Sequence, residues 1–244
     1  MNMLSTSKKN MEKEKNGDIL IVCMCVDDLI FTGSDPSLFE EFKRVMIKEF
    51  EMTDIRLMAY YLIIEVKQKE EDIFISQESY AKEILKKFKM NYCKPISTPV
   101  ECRVKLSKHD KGEDIDATFF KSSVGSLHYL TCTRPDIFYV VGLVSRYMEN
   151  SKTTLFKAAK RILRYVKGTI SFSLLYLFSN DYKLVRYSDS DWGGDVDVRK
   201  STARFIFFMV DTTFAWMLKK QPIVTLSTCE AEYVAATSSV CHAI

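Results

Sequence analysis

Asp27 and Asp28 stand side by side between two apolar runs, residues 19–26 and 29–31, and Gly33 closes the second run. Short apolar runs bounded by polar and turn residues read as buried strands, so the pattern predicts a β-hairpin with two carboxylates at its bend. Adjacent anions there repel by roughly 4 kcal/mol at about 4 Å and an effective dielectric near 20. A divalent cation removes that penalty, and Mg²⁺ favours one or two carboxylates together with phosphate oxygens. Such a pair suits two-metal nucleotidyl transfer. The same dipeptide also makes an ordinary solvated turn, because Asp is frequent in turns.

A second set of groups suits phosphate binding. Between Lys152 and Lys167 there are six basic residues and no acidic one. Helical spacing gathers Lys157, Lys160, Arg161 and Arg164 on one face, with Phe156, Ala159, Leu163 and Val166 on the other side. A one-signed stripe is an electrostatic footprint for a nucleic-acid backbone, whereas a merely solvated face normally mixes signs. Lys167 extends the stripe, and Lys86 belongs to a helix rich in Lys further upstream. Near the other end of the chain lie Asp189 and Asp191, then Glu230 and Glu232. By spacing alone these read as turn residues and surface helix charges.

Elements to position these groups follow from periodicity. After the hairpin, Asp35 and Pro36 signal a helix start, and Leu38, Phe42, Val45, Met46 and Phe50 form its apolar stripe. Residues 52–61 and 62–67 read as extended, and residues 73–75 as a short strand. Ser76 is the expected N-cap of a helix through about Phe88. Three more helices are expected over about 117–132, 135–148 and 153–167, the second with Pro135 in its first turn and the third stopped by Gly168. Beyond residue 170 the period becomes extended: strands over 173–178, 182–188, 203–210 and 213–218, then a helix over 227–243.

The totals set bounds. With 244 residues, 47% hydrophobic and 27% charged, the chain has an ordinary globular composition, and a net charge of +3 argues for no partner by itself. Seven cysteines without Cys-x-x-Cys spacing, and three His, make a zinc site a poor fit; reduced, mostly buried thiols inside the cell are the simpler expectation. No apolar run approaches the roughly 18 residues of a membrane helix. Residues 1–16 lack the apolar core of a secretory signal and read as a frayed lead-in, with residues 13–17 as a turn. The expected location is intracellular, cytoplasmic or nuclear, and not secreted.

The hairpin resembles the metal-binding hairpin of reverse transcriptases, an aromatic-x-Asp-Asp pattern between apolar strands, and the run from Leu29 to Ser34 is similar to the copia-type retrotransposon branch. Further matches to copia-type Pol sequences run through residues 60–68, 121–129, 133–136, 158–168 and 187–202, and the resemblance extends from about residue 7 to 244. Three departures stand out. Cys25 replaces the usual Tyr, Ile63 replaces a glycine, and Arg204 replaces another glycine inside a strand. A β-branched residue takes a glycine conformation poorly, so distortion is expected at Ile63.

The resemblance implies an α+β fold in three parts. These are the C-terminal part of a reverse-transcriptase palm over 1–75, a helical thumb or connection over 76–168, and a truncated ribonuclease H-like α/β domain over 169–244. It implies Asp27 and Asp28 as polymerase metal ligands, and Asp189 and Glu232 as ribonuclease H metal ligands. Mg²⁺ or Mn²⁺ would be the cofactor. Partners would be an RNA or DNA template-primer or an RNA–DNA hybrid, together with remaining Pol segments. Family members carry a third polymerase aspartate upstream and further ribonuclease ligands downstream of these stretches, so each site is expected to hold part of its metal cage and activity is expected to be impaired. The alternative is a non-catalytic nucleic-acid-binding protein derived from the same element.

Overall fold

The computed structural model describes residues 2–3, 11–15, 17–25, 28–50, 52–101, 106–107, 109, 112–149, 151–179 and 182–242, with backbone only at 2–3, 11–15, 25 and 28. It divides into two compact units, one of Met1–Leu62 with Val66–Glu70 and one of Ile63–Glu65 with Glu71–Ile244.

In the first unit, strands β1 (Asn2–Met3), β2 (Met11–Lys15), β3 (Asp18–Cys25) and β4 (Asp28–Gly33) form an antiparallel sheet in the order β1-β4-β3-β2. Alternation along the strands sends Leu20 and Val22 of β3, and Leu29 and Phe31 of β4, into one small core with Leu38. Leu38 belongs to helix α1 (Pro36–Phe50), which starts where the Ser37 amide donates to Asp35 at 2.9 Å. Phe39, Phe42 and Met46 complete the contact, with the Phe31 ring 5.3 Å from that of Phe42. The expected stripe is corrected here: Val45 and Phe50 are exposed, and Phe39 takes part instead. Residues 13–17 are corrected too, because 11–15 pair with β3 as a charged edge strand. A Cβ on Gly33 would lie 2.3 Å from the Ile19 carbonyl oxygen, so glycine is required at that close approach.

Two short strands, β5 (Tyr60–Tyr61) and β6 (Ile64–Gln68), flank the place where the chain passes between units. Leu62 and Ile63 both adopt left-handed backbone there, with φ 46° and 68°. The strain expected at Ile63 is present, and such a conformation costs an L-residue about 1–2 kcal/mol.

The second unit begins with β7 (Asp72–Ser76) and helix α2 (Glu78–Lys87). Ser76 ends the strand and does not cap the helix. The Glu65 carboxylate does that work, accepting the Ser79 amide at 2.7 Å. Helices α3 (Ala117–Leu130), α4 (Pro135–Ser145) and α5 (Thr153–Gly168) pack with α2 around Ile84, Leu85, Phe120, Leu127, Ile137, Ile162 and Leu163. Strand β8 (Leu174–Leu177) pairs with β7. Strands β9 (Leu184–Ser190), β10 (Thr202–Met209) and β11 (Thr212–Lys220) form an antiparallel sheet in the order β11-β10-β9. Helix α6 (Thr228–Cys241) packs on β9 and β10, and Gly142 of α4 leaves room for Leu218 of β11.

Buried Arg134, at the start of α4, ties this unit together. It forms a two-pronged ion pair with Asp136 (2.8 and 2.7 Å), donates to the Thr169 carbonyl at 3.0 Å and stacks on Tyr165 and Phe172. Among the described side chains, Cys132, Cys229 and Cys241 are exposed and Cys23 and Cys93 half-buried, which corrects the expectation of mostly buried thiols. The three exposed ones lie in the turn after α3 (Cys132) and at the two ends of α6 (Cys229 and Cys241). Among the described residues no helix is long and apolar enough to cross a membrane.

Candidate functional site

The β3–β4 ladder runs from Leu20 opposite Gly33 to Cys25 opposite Asp28. Asp28 is therefore the first residue of β4, at the closing end of the hairpin; its side chain and all of Asp27 lie outside the described residues. The elements that present this end are described: two strands with one face filled by Leu20, Val22, Leu29 and Phe31, backed by α1.

The second acidic group resolves into residues with different work. Asp191 is structural, accepting the Thr202 amide at 2.8 Å and the Gly194 amide at 3.2 Å in the loop that joins β9 to β10. Glu230 is structural as well. It accepts the Leu226 amide at 2.6 Å while its own amide donates to Ser227 at 3.1 Å, a reciprocal cap on α6. Buried Asp195, which spacing did not single out, accepts the amides of Asp197 and Val198 at 3.0 Å and pairs with Lys220. Burial pushes its carboxyl up, but the Lys220 bond and the two amides outweigh that and hold it below the ordinary carboxylate value.

Asp189 and Glu232 are the remaining members of this group. Glu232 accepts the Ser190 amide at 3.3 Å, so helix α6 brings its carboxylate to β9 one residue from Asp189. Asp189 lies directly across the ladder from Arg204 of β10 and is ion-paired with its guanidinium. The same guanidinium lies 4.7 Å from the ring centre of Tyr139 on α4. Burial, then the Asp191 charge, push the Tyr139 phenol up, with Arg204 partly offsetting them. Asp189 as it stands is a poor fit for a metal ion, because its charge is already answered by an arginine. Among the described residues no cluster of three or more His, Cys, Asp or Glu is placed to hold a metal ion.

Helix α5 divides the basic stripe. Arg161 is turned inward, bonded to Glu101 at 2.7 Å and to Thr98 at 3.0 Å, and Arg164 donates to the Lys94 carbonyl at 2.9 Å. Both guanidiniums thus hold the segment after α2 against the helix. Lys157 and Lys160 are exposed, with Lys160 lying 4.5 Å from the Phe156 ring centre, and Lys167 is half-buried. Lys86 is exposed on α2. Helical spacing groups all four residues on one face but says nothing about which of them a distant loop will claim.

Residues 6–102 match the family described as reverse transcriptase (RNA-dependent DNA polymerase). The chain is 37% identical over 232 residues to the retrovirus-related Pol polyprotein from transposon TNT 1-94 of Nicotiana tabacum, covering 91% of this chain and 17% of that protein. It is 38% identical over 215 residues to an uncharacterized mitochondrial protein of Arabidopsis thaliana, covering 88% of this chain and 89% of that one. The retrovirus-related Pol polyprotein from transposon RE1 of Arabidopsis thaliana is 36% identical over 228 residues, covering 93% and 16%. The chain thus spans about a sixth of the length of the two Pol polyproteins. No solved structure matches it significantly.

Proposed function

The chain belongs to the reverse transcriptase family of copia-type, retrovirus-related Pol polyproteins, and on that premise we propose that it is a nucleic-acid-binding piece of such a polyprotein with impaired catalysis. Residues 1–75 would correspond to part of the palm, 76–168 to the thumb or connection, and 169–244 to the first part of a ribonuclease H-like domain. The observation that carries this reading is the hairpin, with Asp28 opening β4 at its end and α1 packed behind it. Two adjacent carboxylates offer the hard oxygen donors that suit Mg²⁺ or Mn²⁺, so Asp27 and Asp28 would hold the divalent metal that the family generally uses. That ion supplies charge neutralisation at phosphate oxygens. The chain's own part would be to carry these two residues where β3 and β4 meet.

Impairment is supported by two residues of this chain. Cys25 is cross-strand partner to Asp28 at the position where the family pattern has an aromatic, and Arg204 answers the charge of Asp189. The working location would be the cytoplasm or nucleus, where a template-primer or an RNA–DNA hybrid is found. Primer extension with Mg²⁺ or Mn²⁺ tests the reading. We expect no processive synthesis and no hybrid-RNA cleavage above background, and processive synthesis would defeat the claim of impairment.

A second reading, a purely non-catalytic binder, is favoured by the exposure of Lys157 and Lys160 on α5. Mobility shifts on a hybrid duplex at rising salt address it. Replacing Lys157 and Lys160 by Glu should lower the salt slope by about 2, since each phosphate contact contributes roughly 0.9. Asp27→Asn should leave that binding unchanged under either reading, but would abolish any residual extension only under the first.

A further inference from the structure

We propose that Arg204 is a resident counter-ion that keeps divalent cations off Asp189, so that the guanidinium takes the electrostatic place of a metal. The inference rests on the reading of Asp189 as a cation ligand. It starts from register: Ala203, Arg204 and Phe205 of β10 lie opposite Ser190, Asp189 and Ser188 of β9. A side chain at 204 therefore projects beside that of its direct cross-strand partner, close enough for a charged pair to form. Arg204 forms that pair.

The guanidinium is also held from the other side. Tyr139 of α4 offers its ring face at 4.7 Å, and planar, weakly hydrated arginine is the cation best suited to stack while it bonds a carboxylate. Helix α4 is itself fastened to β10, because Arg146 donates to the Thr202 hydroxyl at 2.9 Å. Arg204 is thus bracketed by a carboxylate on its own sheet and a ring on the neighbouring helix. Asp189 and Arg204 remain about half exposed, at 53% and 43%, so ions in solution can reach the pair. A dication arriving at Asp189 would meet a fixed positive charge. At about 4 Å that repulsion weakens its hold by roughly thirtyfold even at the dielectric of water, and by more at lower values.

Nothing in the backbone demands arginine or glycine here: Arg204 lies within a regular strand and is absent from the left-handed positions. Removing the side chain should therefore leave the ladder intact and change only the charge.

Mn²⁺ binding followed by electron paramagnetic resonance tests the inference on the full chain. Asp27→Asn and Asp28→Asn are present in every arm, to silence the hairpin carboxylates. The parent should show no Asp189-dependent binding, while Arg204→Gly should bind Mn²⁺ at least tenfold more tightly. The gain should vanish when Asp189→Asn is added. Arg204→Gln, which keeps bulk and loses charge, serves as the second variant should glycine unfold the sheet, with circular dichroism as the check. Arg204→Lys should stay as resistant as the parent. If the parent binds Mn²⁺ and loses it with Asp189→Asn, the counter-ion role is wrong while the ligand reading of Asp189 survives. If neither Arg204→Gly nor Arg204→Gln gains binding, both fall together.

Discussion

The helical bundle of the second unit and the hairpin layer of the first bury apolar surface on different scales. In the bundle, Phe120, Leu127, Ile137, Leu155, Ile162 and Leu163 are all at 0% exposure. Two of its most buried polar side chains are also answered, Arg134 by Asp136 and Thr169, and Gln77 by the Thr133 hydroxyl at 2.9 Å. In the hairpin layer the buried cluster consists, among the described residues, of Leu20, Val22, Leu29, Phe31 and Leu38, while Ile19 and Ile21 on the other face of β3 stay 41% and 49% exposed. The difference teaches where folding energy and chemistry reside. The carboxylate pair belongs to the layer with little burial to spare, and the densest packing belongs to helices that carry no acidic site.

The largest expected effect falls on the bundle's ion pair. Asp136→Ala would leave the Arg134 guanidinium, 3% exposed, with only Thr169 and two aromatic rings for company. Stranding a buried charge costs about 3–5 kcal/mol, which urea unfolding followed by the fluorescence of Trp192 and Trp216 should register, since both lie in the second unit. A loss under 1 kcal/mol would mean that the pair is not what orders α4. One chemical change made in both regions sharpens the contrast. Leu127→Ala, at 0% exposure, should lie near the upper end of the usual Leu→Ala range, about 4 kcal/mol. Leu38→Ala, at 8% in a thinner core, should lie nearer 2 kcal/mol, read by hydrogen exchange at the β3 and β4 amides. Equal costs would erase the distinction.

Acid should also act on the second unit through Asp195. Its folded-state carboxyl is held below the ordinary value by Lys220 and two amides against the opposing effect of burial. Between the folded and unfolded values the unfolded chain binds the extra proton, so stability rises with pH across that window. The contribution is present above about pH 4 and is lost as pH falls through the folded value. Asp195→Asn should flatten that part of the acid-unfolding curve measured by tryptophan fluorescence, and an unchanged curve would remove Asp195 from the account.

Much of this architecture is legible in the sequence. The two short apolar runs on either side of Asp27 and Asp28 gave β3 and β4, and the helical period together with Pro135 and Gly168 gave α4 and α5 within a few residues. What escaped depended on partners far away in the chain. Strand β2 has the sequence Met-Glu-Lys-Glu-Lys, whose single apolar residue hid an edge strand, although charged side chains along an edge are a usual device against further pairing. The cap on α2 comes from Glu65, 14 residues upstream, where a local search stops at Ser76. Arg161 and Arg164 share a face with Lys157 and Lys160, and only the path of residues 94–101 decides that the arginines are used inside the fold. Arg204 was visible as a departure from the family pattern. Its pairing with Asp189 needed the register across an 11-residue connection that periodicity cannot supply.

The two lost glycines make the finest test, because they fail in different currencies. At Arg204 the backbone is ordinary strand, and the new side chain changes charge. At Ile63 the backbone keeps the left-handed conformation, φ 68°, that a glycine would take without strain, and a β-branched residue must bear it. Ile63 is half-buried, so restoring glycine removes some apolar contact and frees the unfolded chain. Those losses offset part of the roughly 1–2 kcal/mol of relieved strain. Ile63→Gly should therefore stabilise the chain by about 1 kcal/mol or less in urea unfolding, and Ile63→Ala, which stays strained and loses contact, should destabilise it. If glycine and alanine destabilise alike, the side chain matters more than the backbone at this crossing, and the departure from the family pattern there is a gain in packing instead of a strained remnant.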